Sequence, residues 1–182
     1  MKIQLKTILC VATAAFVGAG LCFGATQTTK TDTKKNPAPK SSAPSSLSAK
    51  DKTFMKEAAK GGQMEVDMGH MAEKQGKNAE VKKIGSRMVA DHTKANNELM
   101  AIAKKKGVDL SKEKPKMHKM DDANFDKQYI DMMVKDHEKD LAEFQAEAKN
   151  GGDADVKAFA SKTSAVIQKH LELVKAAQAK LK

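Results

Sequence analysis

From Asp51 onward, apolar residues recur at alternating steps of three and four in four successive stretches, and this spacing leaves the chain one kind of fold. Steps of three and four line up on one face of an α-helix, whereas a half-buried strand alternates every second residue. The first stretch, residues 51–75, carries Phe54, Ala58, Gly61, Glu65, Met68 and Ala72, weakened locally by Gly61-Gly62. The second, 79–106, carries Val81, Ile84, Met88, His92, Ala95, Leu99 and Ile102, with Asn78 as N-cap and Gly107 as stop. The third, 123–149, carries Ile130, Met133, Val134, His137, Leu141, Phe144 and Ala148. The fourth follows Asn150-Gly151-Gly152 and the N-cap Asp153, with Val156, Phe159, Thr163, Val166, Ile167, His170, Val174, Ala177 and Leu181. Two short connections and a long one around Pro115 describe an all-α four-helix bundle made of two helical hairpins. The long connection reaches about 50 Å when extended, more than the ~40 Å of each helix. A ferritin-like crossover is therefore allowed, and so is a simple up-and-down order.

The residues before this domain read differently. Lys2 and Lys6 precede an uncharged apolar run from Ile8 to Phe23, and small residues follow, as in a secretion signal over residues 1–24 cut before Ala25. A retained anchor fits less well, because the run is short and holds Gly18 and Gly20. Lipid attachment at Cys22 would want a small residue before it, where Leu21 stands. Residues 25–50, rich in Thr, Ser, Lys and Pro, show no apolar period and read as a disordered tether to a domain over 51–182. The expected location is periplasmic or extracellular. Both cysteines, Cys10 and Cys22, lie within the signal, so the exported part has neither disulfides nor thiolate ligands.

Charge excludes some partners. The net charge is +10, but from Asp51 onward 26 lysines and arginines face 22 aspartates and glutamates. With one Tyr and no Trp there is little to stack on bases, so nucleic acid is not an expected partner. An anionic envelope surface or a protein partner remains open, as does the oligomeric state. No Ser-His-Asp spacing, Gly-rich phosphate loop or HExxH motif points to an enzyme.

Each stripe is broken near its middle by one polar residue: Glu65, His92, His137 and His170. At 1.5 Å per residue, a ferritin-like order places all four in a layer about 7 Å thick, and an up-and-down order also keeps them near mid-height. Unpaired buried polar groups cost about 1–3 kcal/mol each, against a domain stability of roughly 5–15 kcal/mol. The four must therefore pair with one another, with water or with a metal. Three imidazoles and a carboxylate suit one ion of zinc, iron, manganese or copper. A Glu–His–water network satisfies them equally. Asp140, three residues after His137, is a candidate to orient that ring. Asp67 and His70 share the spacing but read as a surface pair. Met64, Met68, His70 and Met71 on the first helix, and Met117, His118 and Met120 in the long connection, have Cu(I)-type donors. Helical methionine is ordinarily core filler, which leaves the loop trio as the secondary candidate.

Several short pieces resemble a known family. They are Gly62-Gln63-Met64-Glu65-Val66, Val81-Lys82-Lys83-Ile84, Met88-Val89-Ala90-Asp91-His92-Thr93, Phe125-Asp126-Lys127-Gln128-Tyr129-Ile130, Asp136-His137-Glu138 and His170-Leu171. In this order they resemble the DUF4142 family of exported bacterial proteins of unknown function. The resemblance spans essentially the whole domain and implies export and a ferritin-like bundle. A ferritin-like di-iron site uses Glu-x-x-His on two helices, and this chain has neither copy. That departure argues against ferroxidase or oxygenase chemistry and leaves a mononuclear site or none. The combined expectation is an exported, non-enzymatic bundle with one transition-metal site in its core. Two alternatives stay open: a partner- or envelope-binding bundle with a purely structural polar core, and a periplasmic Cu(I) or Ag(I) binder using Met and His.

Overall fold

The computed structural model describes residues 47–181; the expected signal and nearly all of the expected tether lie outside the described residues. Four helices account for most of these: α1 (Ala49–Gln75), α2 (Ala79–Lys106), α3 (Phe125–Asn150) and α4 (Ala154–Lys180). No strand occurs among the described residues. None of the described helices is long and apolar enough to cross a membrane.

The ends are set by local chemistry. Helix α1 starts two residues before the expected position because Ser48 forms a capping box with Asp51. Asn78 and Asp153 cap α2 and α4 through their side chains. Gly107 closes α2 in the left-handed conformation, φ 69°, which glycine adopts without strain. Helix α3 starts at Phe125, later than the expected residue 123, because Asp121 caps a single 3-10 turn over Asp122–Asn124 first.

Contacts between the ends fix the topology. The α1–α2 turn meets the start of α3, where Asp126 accepts from the backbone N–H of Lys77 and Asn78 at 3.0 and 2.8 Å. The α3–α4 turn meets the start of α1, where the Gly152 N–H donates to Asp51 at 2.8 Å. Lys106, at the end of α2, pairs with Asp153 at the start of α4. Helices α2 and α3 thus start at the same end, and the connection between them crosses the length of the bundle. Its Glu113 pairs with Lys56 and Lys60 of α1, at 3.6 and 3.2 Å. This is the ferritin-like order. Helix α1 packs on α2 and α3, and α4 packs on α3 and α2.

The core is split in two along the bundle. One cluster holds Met68, Ile84, Met88, Tyr129, Ile130 and Met133. The other holds Met55, Leu99, Phe144, Val156 and Phe159. The first half of α1 is rotated relative to the expected stripe: Met55 and Gly62 are buried, while Phe54, Ala58 and Gly61 are half-buried. Phe54 instead lies edge-on to Phe144, ring centroids 4.9 Å apart. Gly69 and Gly85 let α1 and α2 touch backbone to backbone. A β-carbon at Gly85 would stand 2.7 Å from the Gly69 carbonyl oxygen.

Glu147 is a buried acid near the end of α3, 2% exposed, with one carboxylate oxygen unpartnered. Burial and the neighbouring Asp51 carboxylate push its pKa up to about 7 from an ordinary 4.5. An acid with a raised folded-state pKa contributes stability that is fully present below the unfolded value and lost as pH rises through the folded one. Glu147→Gln therefore raises the melting temperature more at pH 8 than at pH 5. Equal shifts at the two pH values would contradict this.

Candidate metal centre

The polar break in each stripe is the seam between the two core clusters. Glu65 (α1), His92 (α2), His137 (α3) and His170 (α4) are all buried, at 2%, 6%, 0% and 2% exposure. Each is on its helix's inward face at mid-length, so all four helices contribute one side chain to a single layer. The three imidazole rings are neighbours, with centroids 5.2 to 5.7 Å apart.

Partners on the outside of the layer decide which nitrogen each ring presents inward. His137 Nδ1 lies 2.9 Å from the Met133 carbonyl, which can only accept, so Nδ1 carries the proton and Nε2 faces the centre. His170 Nε2 donates to Asp91 at 2.9 Å, so its Nδ1 faces the centre. His92 Nδ1 pairs with Glu65 at 2.8 Å, and its Nε2 is buried without a partner. One nitrogen from each of the three histidines lies within 4.8 Å of the others. His137 Nε2 and His170 Nδ1 are 3.4 Å apart. With their other nitrogens protonated, these two are lone pairs facing each other, an arrangement that a cation held between them, or a water donating to both, makes favourable. Two imidazoles on a tetrahedral ion with metal–nitrogen bonds of about 2.0–2.1 Å stand about 3.3–3.4 Å apart, the same separation.

Glu65 lies against two of these rings. One of its oxygens takes His92 Nδ1, and the other stands 3.2 Å from His137 Nδ1. The single proton on that His137 nitrogen goes to Met133, so this Glu65 oxygen has no hydrogen bond. Burial would raise the Glu65 pKa, but the surrounding imidazoles hold it down to about 2. Burial would lower His92, yet the Glu65 charge raises it. Burial pushes His137 down, and His170 down to about 4 against the pull of Asp91. Asp91 is in turn held by Arg87.

Other sequence candidates are placed differently. Asp140 does not bond His137, whose outer nitrogen is taken by Met133. Asp67 accepts from Gln63, and His70 pairs with Glu73, so those two are surface residues with other partners. Met117 and His118 are exposed, whereas Met120 packs against the first core cluster, so the loop trio is divided between solvent and core. Met64 and Met68 are core residues. Sequence reasoning missed Asp91 as a partner in the layer. Its signals were adjacency to His92 and an Arg87 four residues back, neither of which reveals His170 on another helix.

The comparisons with known proteins agree with this architecture. Residues 36–177 match the family described as a domain of unknown function, DUF4142. This chain belongs to that family. Among solved structures, DUF4142 as seen here is similar to the crystal structure of a DUF305 fragment from Deinococcus radiodurans. The TM-score is 0.60 at 8% identity, covering 74% of this chain and 98% of that one. At that identity the likeness shows the fold alone. No curated protein matches the sequence.

Proposed function

We propose that this DUF4142 chain is an exported, non-enzymatic bundle that holds one transition-metal ion on His92 Nε2, His137 Nε2 and His170 Nδ1. The observation that carries the reading is the pair of lone pairs 3.4 Å apart, with the outer nitrogens of both rings already committed to acceptors. Such outer partners orient metal-binding imidazoles and raise their basicity. Glu65 does this for His92 and Asp91 for His170, and both bring negative charge to a dicationic site. Three imidazoles without thiolates suit Zn²⁺, Cu²⁺ and Fe²⁺ better than Mg²⁺ or Ca²⁺. Titrating metal-free protein with Zn²⁺ against a chromophoric chelator tests this. One equivalent bound per chain, and none by His170→Ala, is the expected result. Binding unchanged in His170→Ala would overturn it.

A second reading, a polar core without metal, draws on the Glu65–His92 pair, which satisfies one side of the layer by itself. It predicts a parent indifferent to metal. Export is part of the proposal and rests on the Lys-flanked apolar run before Gly24-Ala25. N-terminal sequencing of envelope-fraction protein is expected to start near Ala25, and intact Met1 there would refute it.

A further inference from the structure

We propose that metal ions reach the three-histidine centre through the cleft between α1 and α3, passed inward along carboxylates with Asp140 at its neck; this rests on the metal reading above. A cavity of about 20 Å³, room for one water, reaches from that cleft to Glu65 and His92. Carboxylates line it in order of depth. Side-chain exposure falls from 57% at Glu57 and 48% at Glu143 to 19% at Asp140 and 2% at Glu65. The innermost, Glu65, is the buried carboxylate with an oxygen lacking a hydrogen-bond partner, and His92, which lines the same cavity, pairs with its other oxygen at 2.8 Å.

The Gly61-Gly62 pair, which only weakens a helix in sequence terms, has a place in this cleft. Gly62 lines the cavity, and a β-carbon at Gly61 would stand 3.8 Å from Asp140 Oδ2, in ordinary contact with it. Lys60 and Lys139 bind Glu57 and Glu143 at the rim, and Lys139 reaches Asp140 at 3.7 Å. No lysine lines the cavity itself.

A second opening, between α2 and α4, also reaches His92 and His170 and is larger, about 90 Å³. Charge argues against it for a cation. Lys94 and Lys162 belong to its lining, whereas Lys60 and Lys139 pair with the carboxylates of the first cleft from outside its lining. Clefts lined by one sign of charge raise the arrival rate of the opposite charge by about 10–10³-fold. The narrower, acidic route therefore delivers metal, and Asp140 acts on the rate of loading, not on the ligand set.

Stopped-flow mixing of metal-free protein with Co²⁺, followed by its visible absorption, tests this alongside equilibrium titration. Asp140→Asn is expected to slow uptake about tenfold or more while leaving Kd within about threefold. Glu143→Gln, an exposed change that leaves the core intact, slows uptake by a smaller factor, and added salt shrinks the difference. Val166→Phe in the α2–α4 opening leaves the rate within about twofold of the parent. Parental uptake by both Asp140→Asn and Glu143→Gln, or slowing by Val166→Phe alone, overturns the route while the metal reading stands. Loss of affinity in Asp140→Asn as large as its loss of rate also overturns it, because Asp140 would then hold the bound ion. A parent that takes up no Co²⁺ refutes the metal reading and this route together.

Discussion

Replacing Glu65 with alanine is expected to cost the metal-free bundle about 3–5 kcal/mol, a large part of the roughly 5–15 kcal/mol that holds a domain together. Glu65 is buried, and its charge raises the His92 pKa against the pull of burial. The His92 Nδ1–H donates to Glu65 at 2.8 Å inside the core. Truncation leaves His92 Nδ1 without an acceptor and opens a cavity where α1 meets α2 and α3. Glu65→Gln keeps the volume and one acceptor oxygen, and is expected to cost less, about 1–2 kcal/mol. Urea unfolding of the three proteins in chelator checks both numbers. A loss below about 1 kcal/mol in Glu65→Ala would mean that the layer is held by something other than this pair.

The layer itself was legible in the sequence because each stripe has one polar interruption, and rise per residue converts position into height. Glu65, His92, His137 and His170 do share one buried level. Their division of labour was not legible. Which nitrogen each ring turns inward depends on Met133 O and Asp91, and the second of these is joined to His170 only by the packing of α2 on α4. Asp140 looked like a partner for His137 by spacing, but the i−4 carbonyl is closer to hand in a helix and took the proton. The crossover was undecidable because the connection after Gly107 is long enough to return along the bundle or to stay at one end. Side-chain links such as Asp126 to the α1–α2 turn settle it. The rotation of α1 near Phe54 and the Gly69–Gly85 contact arise from how two helices seat against each other, which a single helix's periodicity does not encode.

The second large effect concerns metal and the histidines. An ion bound only by the folded state stabilises it by RT ln(1 + [L]/Kd), about 2.7 kcal/mol at a hundredfold excess over Kd. For a domain of this size that corresponds to a rise of roughly 10 °C in melting temperature. His92→Ala and His137→Ala each remove one of three ligands and are expected to abolish the rise while remaining helical, because both apolar clusters lie outside the layer. Their metal-free stability falls by about 1–3 kcal/mol from partners left unpaired, and the variants' own stability is then the same with and without metal.

The most direct test is therefore a thermal melt of the parent, followed by circular dichroism, first in chelator and then with saturating Zn²⁺, beside His137→Ala under both conditions. A melting temperature that rises by roughly 10 °C in the parent and stays fixed in the variant is the predicted result. A parent that melts at the same temperature with and without metal would contradict the account and leave the layer a polar core.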